Sequence, residues 1–170
     1  MQRPEKARSC CFTGYRPEKL AWRFDEEDKR AILLKEKIFT IVEALFKAGL
    51  THFICGMARG ADTYFAEAVL LLREEFKEVT LEAAIPFQNQ AARWKESEQN
   101  RYFRILSQCD FEVVLQESYT ADCMRNRNEY MVDNAAVILA VYDGRFGGTM
   151  QTVNYAKKSG LELIQITPPT

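Results

Sequence analysis

The sequence contains one histidine, His52, and no pair of cysteines at CxxC spacing. Protein zinc sites are built from clusters of cysteine and histidine, so we expect no metal site. Cys10, Cys11 and Cys55 lie in strand-like runs, where a free thiol acts as a small apolar side chain. The full set is Cys10, Cys11, Cys55, Cys109 and Cys123. These features predict reduced, structural thiols and a cytoplasmic protein.

Long apolar runs are also absent. No stretch approaches the roughly 18 consecutive apolar residues that a membrane-spanning helix needs. Residues 1–9 are charged, and the apolar run that follows is too short for a signal peptide. A net charge of −1 and a pI of about 6.0 argue against a large basic surface for nucleic acid. We therefore expect no membrane partner, and binding of nucleic acid is not favoured.

The common fingerprints of catalysis and cofactor binding are missing. The sequence contains neither GxGxxG nor GxxxxGK[ST], so a standard dinucleotide site or P-loop is excluded and no resident cofactor is predicted. No Ser-His-Asp or Cys-His arrangement can be recognised, and His52 is expected to be structural, at the edge opposite the site. Glu67 and Glu129 are the nearest acidic candidates for acid–base work, although an ordinary place on a helix is the favoured interpretation of each. The catalytic residues stay undetermined.

Strand-like apolar runs alternate with segments of helical periodicity along the chain. The predicted strands are residues 9–13, 51–55, 79–85, 111–115, 137–141 and 161–167. The predicted helices are 25–49, with a cap at Asp25, and then 61–76, 90–108, 123–134 and 150–158. Residues 18–24 fit neither pattern and are expected to fold back over the sheet as a loop. The alternation predicts one α/β domain, residues 1–170, with a doubly wound, mainly parallel sheet covered by helices on both faces.

Three glycine-containing loops follow predicted strands. In doubly wound sheets, ligands bind beyond the carboxyl ends of the strands, where the strand order reverses. Glycine lets the backbone approach a ligand closely, and the free N–H groups of a following helix suit a phosphate. Each loop also has an arginine that can pair with an anion, namely Arg16, Arg59 or Arg145. The loops are residues 13–17, 56–62 and 143–149. Ordinary strand-to-helix turns with solvated arginines remain the alternative interpretation.

The motifs in these loops, CFTGYRP at residues 11–17, GMARGAD at 56–62 and GGT at 147–149, resemble the SLOG superfamily of Rossmann-like proteins. The most similar branch is the bacterial YpsA-like one, and the resemblance extends over residues 9–166. The superfamily includes the Lonely guy phosphoribohydrolases, which release a cytokinin base from its ribose monophosphate. It also includes DNA-processing protein A, which loads a recombinase onto single strands. The resemblance implies recognition of a nucleotide or nucleotide-derived ligand, and it leaves a homodimer open.

Individual residues extend the resemblance and also limit it. The GMARGAD motif is similar to the GLARGID type of DNA-processing protein A. Residues 124–131, MRNRNEYM, have the spacing of the phosphoribohydrolase segment MxxRKxxM, which places Arg127 on the nucleotide-binding arginine and Asn128 where the lysine would be. The phosphoribohydrolases carry acidic residues after their Gly-Thr pair, whereas none follows Thr149 at residues 150–153. An amide cannot replace a carboxylate in acid–base work, which argues against that activity.

The function predicted from the sequence is binding or sensing of a nucleotide-derived ligand, ADP-ribose or a dinucleotide. The helices after Gly60 and Gly148 would hold phosphate, and Asp62 or Asp143 would reach ribose hydroxyls. A capping role for Asp62 is an equally good interpretation. The expected ligand-binding residues are Thr13, Gly14, Arg16, Pro17, Gly56, Arg59, Gly60, Asp62, Arg127, Asp143, Gly147, Gly148 and Thr149. Two alternatives stay open: a hydrolase of an N-glycosidic or phosphoribosyl bond, using Asp143 or the glutamates above, and, less favoured, a single-stranded DNA-binding protein.

Overall fold

The apolar runs of the sequence pair as the strands of one parallel sheet in the computed structural model, which describes residues 1–170. The strands are β1 (Ser9–Gly14), β2 (His52–Cys55), β3 (Thr80–Ile85), β4 (Phe111–Val114), β5 (Val137–Val141) and β6 (Glu162–Ile166). The helices are α1 (Lys29–Lys47), α2 (Ala61–Glu75), α3 (Glu96–Leu106), α4 (Cys123–Asp133) and α5 (Gly148–Lys158). Short 3-10 turns occupy Lys6–Arg8 and Pro17–Lys19.

The strand order is β4-β3-β2-β1-β5-β6, and every neighbouring pair is parallel. From β1 the chain winds outward to β4, and it then returns to place β5 on the other side of β1. The order therefore reverses between β1 and β5, where Gly14 lies opposite Val141 at the carboxyl ends. This reversal is the place at which doubly wound sheets bind ligands. The predicted doubly wound α/β fold is confirmed.

Both faces of the sheet are covered by helices. The helices α1, α2 and α3 pack on one face, where Phe12 of β1 stacks on Phe65 of α2 with 4.5 Å between ring centroids. The helices α4 and α5 cover the other face, to which Cys11 and Ile54 contribute. Central strands with apolar residues on both faces are typical of parallel sheets. None of the helices combines the length and apolar content that crossing a membrane requires.

The predicted starts of two helices are wrong. The helix α1 is capped by Asp28, whose Oδ1 accepts a hydrogen bond from the Arg30 N–H at 2.8 Å, and not by Asp25, which lies in a preceding turn. The helix α3 begins at Glu96 instead of residue 90, because Asn89 has a left-handed backbone (φ 60°) and a run of turns follows it. The Glu98 carboxylate then accepts from the Lys95 N–H at 3.1 Å and closes the first turn. Lys95, at the N-cap position, has no side-chain acceptor, so Glu98 at the third helical position provides the hydrogen bond that closes the helix start.

The segment expected to fold back as a loop packs against α2. Leu20 and Trp22 are buried, and the Trp22 indole N–H donates to the Tyr64 hydroxyl at 3.1 Å. Phe24, the third residue of the alternating set, is half exposed (50%). The segment thus contributes Leu20 and Trp22 to the core and presents Phe24 at the surface.

All five cysteines are free, and four of them are buried. Burial raises the pKa of the Cys10 thiol to about 12 and that of Cys109 to about 12. Such thiols are poor nucleophiles, since the thiolate is the reactive form. No group of three His, Cys, Asp or Glu side chains is arranged to hold a metal ion.

Candidate functional site

A cleft of about 290 Å³ lies at the reversal of strand order, between the end of β1, the start of α5 and the inner face of α4. Its position follows from the topology, because the chain leaves β1 and β5 toward opposite sides and the two loops separate. Several residues predicted from separate motifs meet here. They are Thr13, Gly14, Arg16, Asp62, Arg127, Gly148 and Thr149.

Arg127 is the central charged group of this cleft. Its side chain is buried, with only 4% of the residue exposed, and it donates to the Gly56 carbonyl, to Asn128 Oδ1 at 2.8 Å and weakly to Met124 Sδ. None of these partners is a carboxylate. Burial lowers the pKa of the Arg127 guanidinium, the negative charge of Asp62 opposes that effect, and the positive charge of Arg16 adds to it. The cleft therefore holds a buried cation with a second cation nearby.

Gly56 makes room for the Arg127 guanidinium. A Cβ atom at this position would lie 2.5 Å from Nη1 and 2.6 Å from Cζ of Arg127. Any larger residue would push the guanidinium away from the Gly56 carbonyl that it binds. The first glycine of the GMARGAD motif thus acts through Arg127 and does not itself line the cleft.

The helix α5 begins at the cleft with an uncapped first turn. Gly147 precedes it with φ 156°, no side chain caps the helix, and the first turn contains no acidic residue. The Gln151 N–H is the first that donates back, to the Gly147 carbonyl at 3.0 Å. A Cβ atom at Gly148 would have no neighbour within 4 Å, so this position faces open space. Free amides at a helix start favour an anion.

Asp62 lies in the first turn of α2 and is also buried. Its Oδ2 accepts from the Ala58 N–H at 3.0 Å, so the carboxylate closes the loop that precedes the helix. Burial raises the pKa of Asp62, while the positive charge of Arg127 and the Ala58 hydrogen bond act in the opposite direction. No side chain caps α2, so the Asp62 carboxylate bonds the preceding loop instead of the helix start, and the same side chain lines the cleft.

The loops after β1 and β2 are joined at Gly60. This residue has a left-handed backbone (φ 85°), and a Cβ atom there would lie 2.7 Å from the Tyr15 carbonyl oxygen and 2.9 Å from Cδ of Pro17. The Ala61 N–H donates to the same Tyr15 carbonyl at 3.0 Å. Gly60 and Pro17 therefore pack the two loops together and do not line the cleft.

Arg59 points away from the cleft. It pairs with Glu18 at 3.3 Å and Glu98 at 3.5 Å, and its Cζ lies 5.8 Å from the centroid of the Phe24 ring and 5.6 Å from that of Trp94. The second cavity, of about 410 Å³ on the other side of the loop, is lined by Arg59, Glu98, Phe24 and Trp94, whereas Glu18 lines the cleft.

Asp143 and Gly147 lie beside the cleft without lining it. The Asp143 carboxylate accepts from the Tyr15 hydroxyl and from Nε of Arg145 at 2.6 Å, and the Arg145 hydrogen bond lowers the pKa of Asp143. A Cβ atom at Gly147 would meet the Lys19 ammonium. The third loop thus contributes to the cleft only through Gly148 and Thr149, the first two residues of α5.

The acidic residues considered for catalysis lie elsewhere. Glu67 pairs with Arg101 through both oxygens, at 2.7 and 2.8 Å. Glu129 lies 3.9 Å from Nε of Arg125. Neither lines the cleft, whose carboxylates are those of Asp62 and Glu18.

Four cleft residues on α4 share one helix face, and the sequence contained the signal for them. Met124, Arg127, Asn128 and Met131 are spaced i, i+3, i+4 and i+7, which places them on one side of a helix. The sequence interpretation assigned only Arg127 to the site. Lys19 was also missed, because it follows the glycine loop in a 3-10 turn that no periodicity indicates.

Known proteins resemble this chain in sequence and in fold. The SPbeta prophage-derived protein YoqJ of Bacillus subtilis is 32% identical over 141 residues, which are 75% of this chain and 82% of YoqJ. DNA processing protein A (DprA) of Helicobacter pylori, a protein with a single-stranded DNA binding mode, superposes with a TM-score of 0.66 at 13% identity. That match covers 97% of this chain and 67% of the H. pylori protein.

DprA of Streptococcus pneumoniae superposes with a TM-score of 0.61 at 14% identity, over 96% of this chain. The chain spans about half (52%) of the length of that protein. At these identities the two superpositions establish the fold alone. The YspA SLOG family matches residues 10–168, nearly the whole sequence. The chain belongs to the YspA SLOG family, as the resemblance of its three loops predicted.

Proposed function

We propose that this protein binds or senses a nucleotide-derived ligand, ADP-ribose or a dinucleotide, in the cleft between β1, α4 and α5. The observation that carries the proposal is Arg127, a buried guanidinium whose hydrogen-bond partners include no carboxylate. The Asp62 carboxylate lies close enough to offset part of this charge, but it forms no direct ion pair with Arg127, and buried charges in folded proteins are normally paired directly. An anionic ligand would supply the direct partner that Arg127 lacks.

A phosphate suits the surroundings of Arg127 best. The uncapped start of α5 offers amides at Gly148 and Thr149, and Arg16 adds a second cation at the rim. Guanidinium groups bind phosphate oxygens in a bidentate way, and helix N-termini favour negative charge. The cleft volume of about 290 Å³ is at the lower end of the range for small-molecule sites. It would hold the phosphates and one nucleoside.

Gly148 provides a sharp test, since its Cβ would point into open space and a substitution there need not disturb the fold. We expect Gly148→Asp to weaken binding of ADP-ribose at least tenfold, because its carboxylate would face the ligand phosphates. Gly148→Asn has the same shape without the charge and should retain most of the affinity. Calorimetric titration of both variants makes the comparison. Equal affinities in Gly148→Asp and Gly148→Asn would contradict the proposed phosphate position.

The hydrolase alternative gains little support from the geometry. Glu67 and Glu129 lie outside the cleft, and the Asp143 carboxylate is engaged by Tyr15 and Arg145. A hydrolase would therefore have to use Asp62 or Glu18. Release of free base from a panel of nucleotides, followed by chromatography, tests this alternative directly.

Single-stranded nucleic acid is a second candidate ligand. It is favoured by the fold shared with H. pylori DprA, which has a single-stranded DNA binding mode. The net charge of −1 counts against it, because most of the affinity of non-specific strand binding comes from cations. A gel shift of a labelled oligonucleotide at low salt separates the two candidates, since only a strand-binding protein retards the oligonucleotide.

A further inference from the structure

The cavity on the other side of the loop at residues 57–60 differs in character from the cleft. It has a volume of about 410 Å³ and lies between the segment at residues 17–24, the start of α2 and the α3 region. Aromatic side chains form much of its wall. They are Phe24, Tyr64, Trp94 and Tyr102. A cavity of this size lies within the range of small-molecule sites.

Phe24 and Trp94 are only partly buried. Half of Phe24 is exposed (50%), and Trp94 is partly buried, with its ring edge-to-face against Tyr102 at 5.4 Å between centroids. A half-exposed phenylalanine beside a second accessible ring is a stacking surface. Aromatic rings of this kind bind the flat faces of nucleobases.

The Arg59 guanidinium, a flat cation, already lies near both rings. Its Cζ is 5.8 Å from the Phe24 centroid and 5.6 Å from the Trp94 centroid, and the Lys95 ammonium is 5.8 Å from Phe24. The carboxylate contacts of Arg59 are long, at 3.3 Å to Glu18 and 3.5 Å to Glu98. Long, partly exposed ion pairs contribute little to stability, so Arg59 is free to exchange them for a ligand.

The cavity and the cleft adjoin each other. Ala58 lines both of them, and Glu18, which pairs with Arg59, lines the cleft. A ligand with two bulky ends joined by phosphates would place its phosphates near Arg127 and one end against the aromatic rings. ADP-ribose has a sugar at that end, whereas a dinucleotide has a second base.

From this continuity we infer that the aromatic cavity is a second subsite, which holds the distal base of a dinucleotide whose phosphates lie in the cleft. The inference rests on the proposed function and selects among its ligands. Phe24 and Trp94 stack on the base, and Arg59 moves from Glu18 and Glu98 toward the ligand. Because stacking depends on a flat ring, a dinucleotide binds more tightly than ADP-ribose.

Diadenosine diphosphate and ADP-ribose form a matched pair of probes, since they differ only in the second adenine. Base–aromatic stacking is worth enough for a difference of roughly tenfold in Kd in favour of diadenosine diphosphate. Trp94→Ala should make the dissociation constants of the two probes nearly equal, chiefly by weakening the binding of diadenosine diphosphate. Phe24→Ala, at a half-exposed position, should reduce the same difference without risk to folding. Gly148→Asp should weaken both ligands.

The outcomes distinguish failure of the second subsite from failure of the proposed function. If wild type binds both probes with equal affinity, the second subsite is disproved and the phosphate cleft stands. If wild type prefers diadenosine diphosphate but Trp94→Ala and Phe24→Ala keep that preference, the second base lies elsewhere and the inference fails. If neither probe binds, the proposed function fails together with the subsite.

Discussion

At the scale of single residues, Gly56 and Arg127 form a unit. A Cβ at Gly56 would lie 2.5 to 2.9 Å from three atoms of the guanidinium, which is itself buried and hydrogen-bonded to the Gly56 carbonyl. We expect Gly56→Ala to lower the free energy of unfolding by about 1–3 kcal/mol, the usual range for overpacking. Urea denaturation measures the change.

Gly148→Ala is the control for that substitution. Its Cβ would meet nothing within 4 Å, and alanine in a helix is about 0.5–1 kcal/mol more stable than glycine. We therefore expect unchanged or slightly higher stability for Gly148→Ala. If both variants were destabilised equally, the close contact between Gly56 and Arg127 would not explain the loss.

The sequence identified Arg127 through motif spacing but did not indicate its burial. Two features outside its own helix create that burial: the absence of a side chain at Gly56 and the approach of α4 to β1 and β3. Arg59 illustrates the opposite case. Its loop was expected to present it to the cleft, yet the contact of Gly60 with residues 15–17 turns the loop so that Arg59 faces the other side. Such contacts between loops have no local sequence signal.

At the scale of elements, a buried polar network joins the N-terminal segment to β2, β3 and α4. The Glu82 carboxylate accepts from Arg3 at 2.7 and 2.9 Å and from the Tyr130 hydroxyl at 2.7 Å, and it lies 2.7 Å from Nε2 of His52. Burial by itself would raise the pKa of Glu82, but the hydrogen bonds from His52 and Tyr130 and the charge of Arg3 bring it below its usual value.

Glu82→Gln should lower the free energy of unfolding by about 3 kcal/mol at pH 7, since it removes the charge from a buried network. A depressed pKa contributes stability above the pKa of the unfolded chain, about 4.3, and loses it as the pH falls through the folded value. The gap between wild type and Glu82→Gln should therefore narrow from pH 7 to pH 3. Urea denaturation at the two pH values measures it.

Glu162→Gln, at an exposed strand position, is the matched control and should show a small effect at either pH. A gap for Glu82→Gln that is the same at pH 3 and pH 7 would indicate that folding does not lower the pKa of the Glu82 carboxyl. That result would contradict the network as described.

Strands and most helices followed from periodicity, whereas the starts of α1 and α3 did not. At α3 the helical spacing of apolar residues continues backward through Trp94, but the left-handed backbone of Asn89 and the turns after it interrupt the helix. The turn residues carry no glycine or proline that would have signalled the break. The same irregular stretch places Trp94 at the second cavity.

At the scale of the whole molecule, the thiols report on the integrity of the fold. Burial raises the pKa of Cys10, Cys11, Cys55 and Cys109, and only Cys109 is partly accessible. With an aromatic disulfide reagent near pH 8, we expect no more than one thiol, that of Cys109, to react in the folded protein and all five to react in guanidinium chloride. Rapid reaction of two or more thiols before denaturation would contradict the burial of Cys10, Cys11, Cys55 and Cys123.

The fold class was predictable because alternation of strands and helices leaves few arrangements, and right-handed crossovers restrict them further. The order β4-β3-β2-β1-β5-β6 was not predicted, since no residue of the chain specifies on which side of β1 the strand β5 pairs. That pairing brings the first and third loops together at the cleft. The membership in the SLOG family came from loop motifs, and it holds over residues 10–168.

The proposed binding mode requires the Arg127 guanidinium to pair with a ligand phosphate. The most direct measurement is the NMR resonance of the Arg127 Nε–H group, assigned by its loss in Arg127→Lys, during a titration with ADP-ribose. We expect this resonance to shift and to saturate together with the backbone amide resonances of Gly148 and Thr149. If the Gly148 and Thr149 resonances saturate while the Arg127 resonance does not shift, Arg127 does not pair with the phosphate. A titration in which no resonance shifts would also contradict the proposed binding mode.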